Sequence, residues 1–288
     1  MIPSMNIIAW TNVAPWVEQR QIEQDLIISR AVIEVFNDNF LKGELRFRGG
    51  TALNKLHFPE PLRYSEDIDL VRTTEGPIGP ILDRIREILR PWLGEAAFEQ
   101  SPVAPKLIYR ATAEDDGPPL RLKIEINTRE RMIFDQPKDF LHQVENPWFS
   151  GQALLPSFSN EEMLATKLRA FLQRDKGRDL FDLSHALSVF HDLDVRHVAT
   201  LFGQYLQAQD LTISRAQAEE RMFAKLASPG FLSDVRPLLA AEQAERLTDT
   251  TMKTAFAEVL SRLVGNLPGD CWARTEEMIR RFGIDVSQ

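Results

Sequence analysis

The stretch ELRFRGGTALNKLHFPEPLRYSEDIDLV, residues 44–71, decides the fold. At its head, Glu44-Leu45-Arg46-Phe47-Arg48 alternates polar and apolar residues, as a half-buried strand does, and Gly49-Gly50 ends the run. Residues 51–57 read as a short helix. Beyond a turn at Pro59 and Pro61, Asp67-Ile68-Asp69-Leu70-Val71 reads as a second strand. Upstream, Ile22, Leu26, Ile27, Ala31, Val32, Val35 and Phe36 recur at helical spacing, which predicts an amphipathic helix within 16–36. Downstream, residues 78–92 carry a second long helical pattern, so the order is β-α-β-α.

The clearest strand is Leu120-Arg121-Leu122-Lys123-Ile124-Glu125-Ile126-Asn127, which alternates without exception. Residues 104–112 form its candidate hairpin partner across the Glu114–Pro118 turn. The chain turns again near Pro147 and Gly151. From Ser159 every periodic segment is helical: 159–174, opened by a Ser159/Glu162 capping box, then 178–190, 195–207, 214–226 and 252–264. The expected class is α+β, with a mixed α/β domain over residues 1–155 and an α-helical domain over 156–288.

Composition narrows the function. Among 288 residues, 34 Lys and Arg against 42 Asp and Glu give a net charge of −8, so any nucleic-acid contact needs a local basic patch. One cysteine, Cys271, excludes an intramolecular disulfide and a multi-cysteine zinc cage, and is expected as a small buried hydrophobe in a reducing compartment. The first ten residues lack the basic flank and apolar run of a signal peptide, and no stretch approaches the ~20 apolar residues of a membrane helix. A cytoplasmic protein without membrane contact is expected. Dinucleotide, P-loop, zincin and α/β-hydrolase motifs are all missing from the sequence.

Asp67 and Asp69, two apart on a strand, face the same way and can share one cation; hard oxygen ligands point to Mg2+. Glu125 joins them as a third metal ligand if the two strands are neighbours. An Asp-x-Asp alone reads more readily as a solvated strand face with Asp69 as an ordinary turn acid, and it is the surrounding residues that favour the metal. Gly49-Gly50-Thr51, between strand and helix, suits a triphosphate, because glycines let backbone approach a ligand and a helix start offers free N–H groups. A plain tight turn is the other reading of the glycine pair. Five basic residues, Lys167, Arg169, Arg174, Lys176 and Arg178, crowd one helix-turn-helix, and Asp179 and Asp182 follow at a spacing that shares a helix face.

Arg48-Gly49-Gly50-Thr51-Ala52-Leu53, then Tyr64-Ser65-Glu66-Asp67-Ile68-Asp69-Leu70, then the run from Lys167-Leu168-Arg169 to Arg178-Asp179-Leu180-Phe181-Asp182-Leu183 resemble the AbiEii family of nucleotidyltransferase toxins, which includes the MenT toxins. The resemblance implies a DNA polymerase beta-like nucleotidyltransferase domain with a small mixed sheet and a helical C-terminal half. It implies catalytic roles for Asp67, Asp69, Lys167 and Asp182, and nucleotide binding by Gly49, Gly50, Thr51, Ser65, Lys167 and Arg178. It also implies transfer of a nucleoside monophosphate from a nucleoside triphosphate to the 3' end of tRNA, and a cognate antitoxin that binds the toxin or modifies Ser65. The alternatives are nucleotidylation of a protein or small molecule by the same site, and a nucleotide-binding module without catalysis.

Overall fold

The computed structural model describes residues 1–101 and 103–286. Contacts divide the chain into two compact units, Met1–Ser159 and Asn160–Gln288.

The first unit runs α1 (Ser4–Trp10), α2 (Gln19–Phe36), α3 (Asn39–Glu44), β1 (Leu45–Arg48), α4 (Gly49–Ala52) with a π-helical turn (Leu53–His57), then β2 (Asp67–Arg72) and α5 (Gly79–Leu93). It continues with β3 (Ala97–Glu99), β4 (Lys106–Ala111), β5 (Leu120–Asn127), β6 (Lys138–Asn146) and β7 (Phe149–Ser157). Five strands form one mixed sheet in the order β1-β2-β5-β4-β3. The central β2–β5 pair is parallel, whereas β1–β2, β4–β5 and β3–β4 are antiparallel.

Alternation decides the two faces of the sheet. Leu45, Phe47, Ile68, Leu70, Leu107, Tyr109, Leu122, Ile124 and Ile126 are buried, and helices α2 and α5 pack against these strands. The phases between them carry Arg46, Arg48, Asp67, Asp69, Lys123 and Glu125, which are only partly buried. Pro80 in the first turn of α5 fits its free N-terminal position, and Gly94, at φ 74°, follows its end.

The expected turn near Pro147 is the tip of a β6–β7 hairpin whose strands the sequence pattern does not reveal. Asn146 pairs with Phe149, so Pro147 and Trp148 form a two-residue loop, and the Asn146 side chain accepts from the Trp148 N–H at 2.9 Å. Arg30 of α2 covers the Trp92 and Trp148 rings, 4.1 and 4.8 Å from their centroids, and these cation–π contacts tie the hairpin tip to the helices.

The second unit is helical: α6 (Asn160–Gln173), α7 (Gly177–Val189), α8 (Val195–Gln207), α9 (Arg215–Leu226), α10 (Ala241–Arg246), α11 (Asp249–Arg262) and α12 (Thr275–Phe282). Ser214 and Thr248 cap α9 and α11 with reciprocal capping boxes. Phe171, Phe202, Phe223 and Phe256 are fully buried and build the core of this unit. Cys271 is exposed, contrary to the expectation of a buried hydrophobe, because it lies outside the helices in the segment ahead of α12. Among the described residues no helix is long and apolar enough to cross a membrane.

Candidate active site

Strand β1 delivers the chain into Gly49 at φ 83°, a left-handed conformation that favours glycine, and α4 starts there. A Cβ on Gly49 would lie 2.2 Å from Asp69 Oδ2, so the glycine also allows the Asp69 carboxylate to lie against the backbone. Gly49→Ala is therefore expected to destabilise the chain by about 1–3 kcal/mol, from backbone strain and displacement of Asp69, as measured by denaturant unfolding. Gly50 meets different neighbours: a Cβ there would lie 2.7 Å from Arg63 Nη2 and 3.2 Å from Ser65 Oγ. Asn54 fixes this corner. Its amide donates to the Gly50 carbonyl at 2.9 Å, and its Oδ1 accepts from the Leu62 and Arg63 N–H groups at 3.0 and 3.1 Å.

The Thr51 and Ser65 hydroxyls are hydrogen-bonded at 2.8 Å, and Thr51 also donates to the Asp67 carbonyl. These two side chains thus lock the glycine turn to the start of β2. The parallel register then sets Asp67 opposite Lys123 and Asp69 opposite Glu125, on the partly exposed face of the sheet. On the other flank, Arg48 pairs with Asp69 in register and its guanidinium is 3.0 Å from Glu130.

Lys123 is the residue that the sequence reading leaves out. Its ammonium is 2.9 Å from Asp67 and 3.3 Å from Glu125, while Lys106 is 3.9 Å from Glu125. Burial alone would lower the Lys123 pKa, but its hydrogen bond to Asp67 and the surrounding carboxylates outweigh burial and hold it above the ordinary value. Asp69 goes the other way for a carboxyl. Burial and then the charges of Asp67 and Glu125 push it up, and Lys123 and Arg48 offset them only in part.

Among the described residues no three His, Cys, Asp or Glu side chains are grouped so as to hold a metal ion. The Lys123 ammonium already draws on Asp67 and Glu125. The donor chemistry, carboxylate oxygens on one sheet face, is of the kind a hard divalent cation takes, and Lys123 and Lys106 already balance part of its charge.

In the second unit, Lys167 of α6 is buried with two fully buried aspartates of α7. Its ammonium is 2.6 Å from Asp182 and 3.3 Å from Asp179. Arg174 holds Asp179 in a fork, at 2.6 and 2.8 Å. Burial would raise the Asp179 carboxyl, yet the Lys167 and Arg174 charges overcome it and hold the carboxyl below its usual range. The basic run is therefore not uniformly a free cationic surface: Lys167 and Arg174 are ion-paired, and Arg178 is only partly buried. The spacing of Asp179 and Asp182 on α7 is the signal that could have predicted the pairing.

A sequence profile described as "Nucleotidyl transferase AbiEii toxin, Type IV TA system" matches residues 30–262. Among solved structures, the chain is similar to MenT4, a nucleotidyltransferase toxin from Mycobacterium tuberculosis, with TM-score 0.56, 17% identity and coverage of 99% of both chains. It is also similar to JHP933 from Helicobacter pylori, with TM-score 0.53 and 17% identity over 92% of this chain and 97% of that one. No curated protein matches the chain by sequence. At that identity the two structures bear on the fold, whereas the profile covers most of the chain: the protein belongs to the AbiEii family of nucleotidyltransferase toxins of toxin–antitoxin systems.

Proposed function

We propose that this chain is a cytoplasmic, Mg2+-dependent enzyme that transfers a nucleoside monophosphate from a nucleoside triphosphate to the 3' end of tRNA and releases pyrophosphate. The observation that supports it most directly is the parallel β2–β5 register, which sets Asp69 opposite Glu125 and Asp67 opposite Lys123, beside the Gly49-Gly50-Thr51 turn. A terminal ribose hydroxyl attacks the α-phosphorus, a new P–O bond forms, and the bond to the β-phosphate oxygen breaks.

Asp67, Asp69 and Glu125 would hold Mg2+, which when bound stabilises charge on the attacking and leaving oxygens. The glycine turn presents backbone N–H groups of a helix start to the triphosphate. Thr51 and Ser65 keep that turn registered on β2 and so position the phosphates relative to the carboxylates. Lys167 and Arg178 match the family's nucleotide-binding cations and are proposed in that role, and Asp182, which accepts from the Lys167 ammonium at 2.6 Å, orients it. Blocking the tRNA 3' end prevents aminoacylation, which accounts for toxicity and for the need for an antitoxin partner. Ser65 is proposed as a site through which such a partner acts, because a phosphoserine adds about −1.5 to −2 charge next to the phosphate turn.

The test is incubation of the purified protein and Mg2+ with each of the four α-labelled triphosphates, separately with total tRNA and with tRNA-free protein extract. Label on tRNA 3' ends is the expected result. Label confined to protein moves the acceptor to a side chain, and bound triphosphate without any transfer rejects catalysis. The net charge of −8 is what favours the protein-acceptor reading.

A further inference from the structure

On the charged face of the five-stranded sheet, the parallel register sets four side chains in a block, Asp67 opposite Lys123 and Asp69 opposite Glu125. Residues two apart on a strand share a face, and neighbouring strands lie about 4.7–4.9 Å apart, so the four compete for one small volume. The Lys123 ammonium sits on a diagonal of the block. It is 2.9 Å from Asp67 Oδ2 on β2 and 3.3 Å from Glu125 Oε2 on its own strand. The Lys123 side chain is 18% exposed, against 29% for Asp67 and 30% for Glu125, so the ammonium is more enclosed than the carboxylates that hold it and still has a way out to solvent.

The neighbouring cations are engaged elsewhere. Lys106, opposite Glu125 on β4, is 3.9 Å from that carboxylate and 3.6 Å from Glu99 on β3. Arg48, opposite Asp69, has its guanidinium on Glu130 at 3.0 Å. Of these three cations, Lys123 alone joins carboxylates of β2 and β5.

A divalent cation drawn to the same oxygens needs them at about 2.0–2.6 Å. An ammonium hydrogen-bonded to those oxygens fills that volume, and two cations in it would repel. The flexible four-carbon stem of a lysine allows the exchange, because the ammonium can swing away without moving the strand.

We infer that Lys123 stands in for the divalent cation in the metal-free chain, bridging Asp67 and Glu125, and has to leave them before the cation binds. The inference rests on the proposed metal role of Asp67, Asp69 and Glu125 and deepens it, since one lysine then sets how tightly the free chain takes its metal. The bridge offsets the repulsion among the carboxylates when no metal is present. Breaking it opposes metal binding, so the site is weaker than its three carboxylates alone would make it.

Mn2+ alone is the probe, with unbound Mn2+ counted by electron paramagnetic resonance as the full chain is titrated, so turnover does not enter the readout. Lys123→Met is expected to tighten the Mn2+ Kd about tenfold, because it removes a unit charge from the volume the metal takes. Without metal, the same variant should have a lower thermal midpoint than the wild type, since the carboxylates lose their bridge. Saturating Mn2+ should then raise the midpoint of the variant by more than that of the wild type. Lys106→Met is the control: it removes the same charge from the edge of the cluster and should change the Kd by no more than about threefold. If Lys123→Met does not unfold cooperatively, Lys123→Gln replaces it.

Unchanged or weaker Mn2+ binding by a folded Lys123 variant would overturn the inference, and Mn2+ binding by the wild type that is lost in Asp69→Ala would leave the metal reading standing. Equal tightening by Lys106→Met would also overturn it, because the effect would then belong to any nearby charge and not to an ammonium in the place of the metal. A wild type and a Lys123 variant that both bind no Mn2+ would overturn the metal reading, and the inference with it.

Discussion

Asp69→Ala is expected to abolish nucleotide transfer, by about a thousandfold or more, in a chain that folds at least as well as the wild type. The loss of activity follows from removing a carboxylate that would hold Mg2+, a contribution of several kcal/mol at a phosphoryl centre. The retained stability follows from the surroundings of Asp69. Burial and its acidic neighbours push its carboxyl up, so the folded chain ionises this group reluctantly. The sign is that of a raised carboxyl: in the metal-free protein its ionisation opposes folding, fully at pH values above the folded pKa and not at all below the ordinary value of about 3.9. Asp69→Asn should therefore raise the thermal midpoint at pH 7 and leave it nearly unchanged at pH 3.5. Transfer within about tenfold of wild type in the alanine variant would reject the metal role. A lower midpoint at pH 7 than at pH 3.5, relative to wild type, would show that Asp69 instead supports the fold.

What the sequence made legible depended on how local each signal was. Strands β1, β2 and β5 could be read because strict alternation separates a buried face from a charged one, and the phase of Asp67, Asp69 and Glu125 came with it. Alternation could not reveal that β2 and β5 are paired in parallel with Lys123 opposite Asp67, since register between distant segments is set by packing. Lys123 was nevertheless in phase with Glu125 in the same strand, so an ammonium among the carboxylates was the one part of that arrangement within reach.

The β6–β7 hairpin escaped for a different reason. Leu141 and Leu154 pair across it on the exposed face while Val144 and Leu155 are buried, so apolar residues occupy both phases and erase the period of two. The cavity of about 180 Å³ lined by Trp10, Trp16, Thr51 and His142 was beyond any local reading, because its walls come from α1, the loop after it, α2, the 51–65 segment and β6. The basic run showed the limit of charge counting, which cannot tell a solvated lysine from one enclosed by two aspartates.

Lys167 brings that last distinction to an experiment. Lys167→Met is expected to cost about 3 kcal/mol of folding stability, because it leaves Asp182, fully buried and 2.6 Å from the ammonium, without that partner. Asp179 keeps the Arg174 fork, which holds the loss near the lower end of the range for a broken buried pair. Pairing Lys167→Met with Asp182→Leu should recover much of the stability, since both charges then leave the interior together. Transfer separates packing from chemistry. If the ammonium also serves phosphate, the stable double variant stays impaired at least about tenfold, with a raised triphosphate KM, when assayed well below its unfolding midpoint. Full transfer by that folded double variant would confine Lys167 to joining α6 and α7, and the triphosphate would then owe nothing to this ammonium. Lys167→Arg gives a second reading, because a planar guanidinium keeps the charge but fits poorly between two aspartates set for a point ammonium. Reduced stability with a nearly normal rate would assign the requirement to charge, and loss of both would assign it to the shape of the buried cluster.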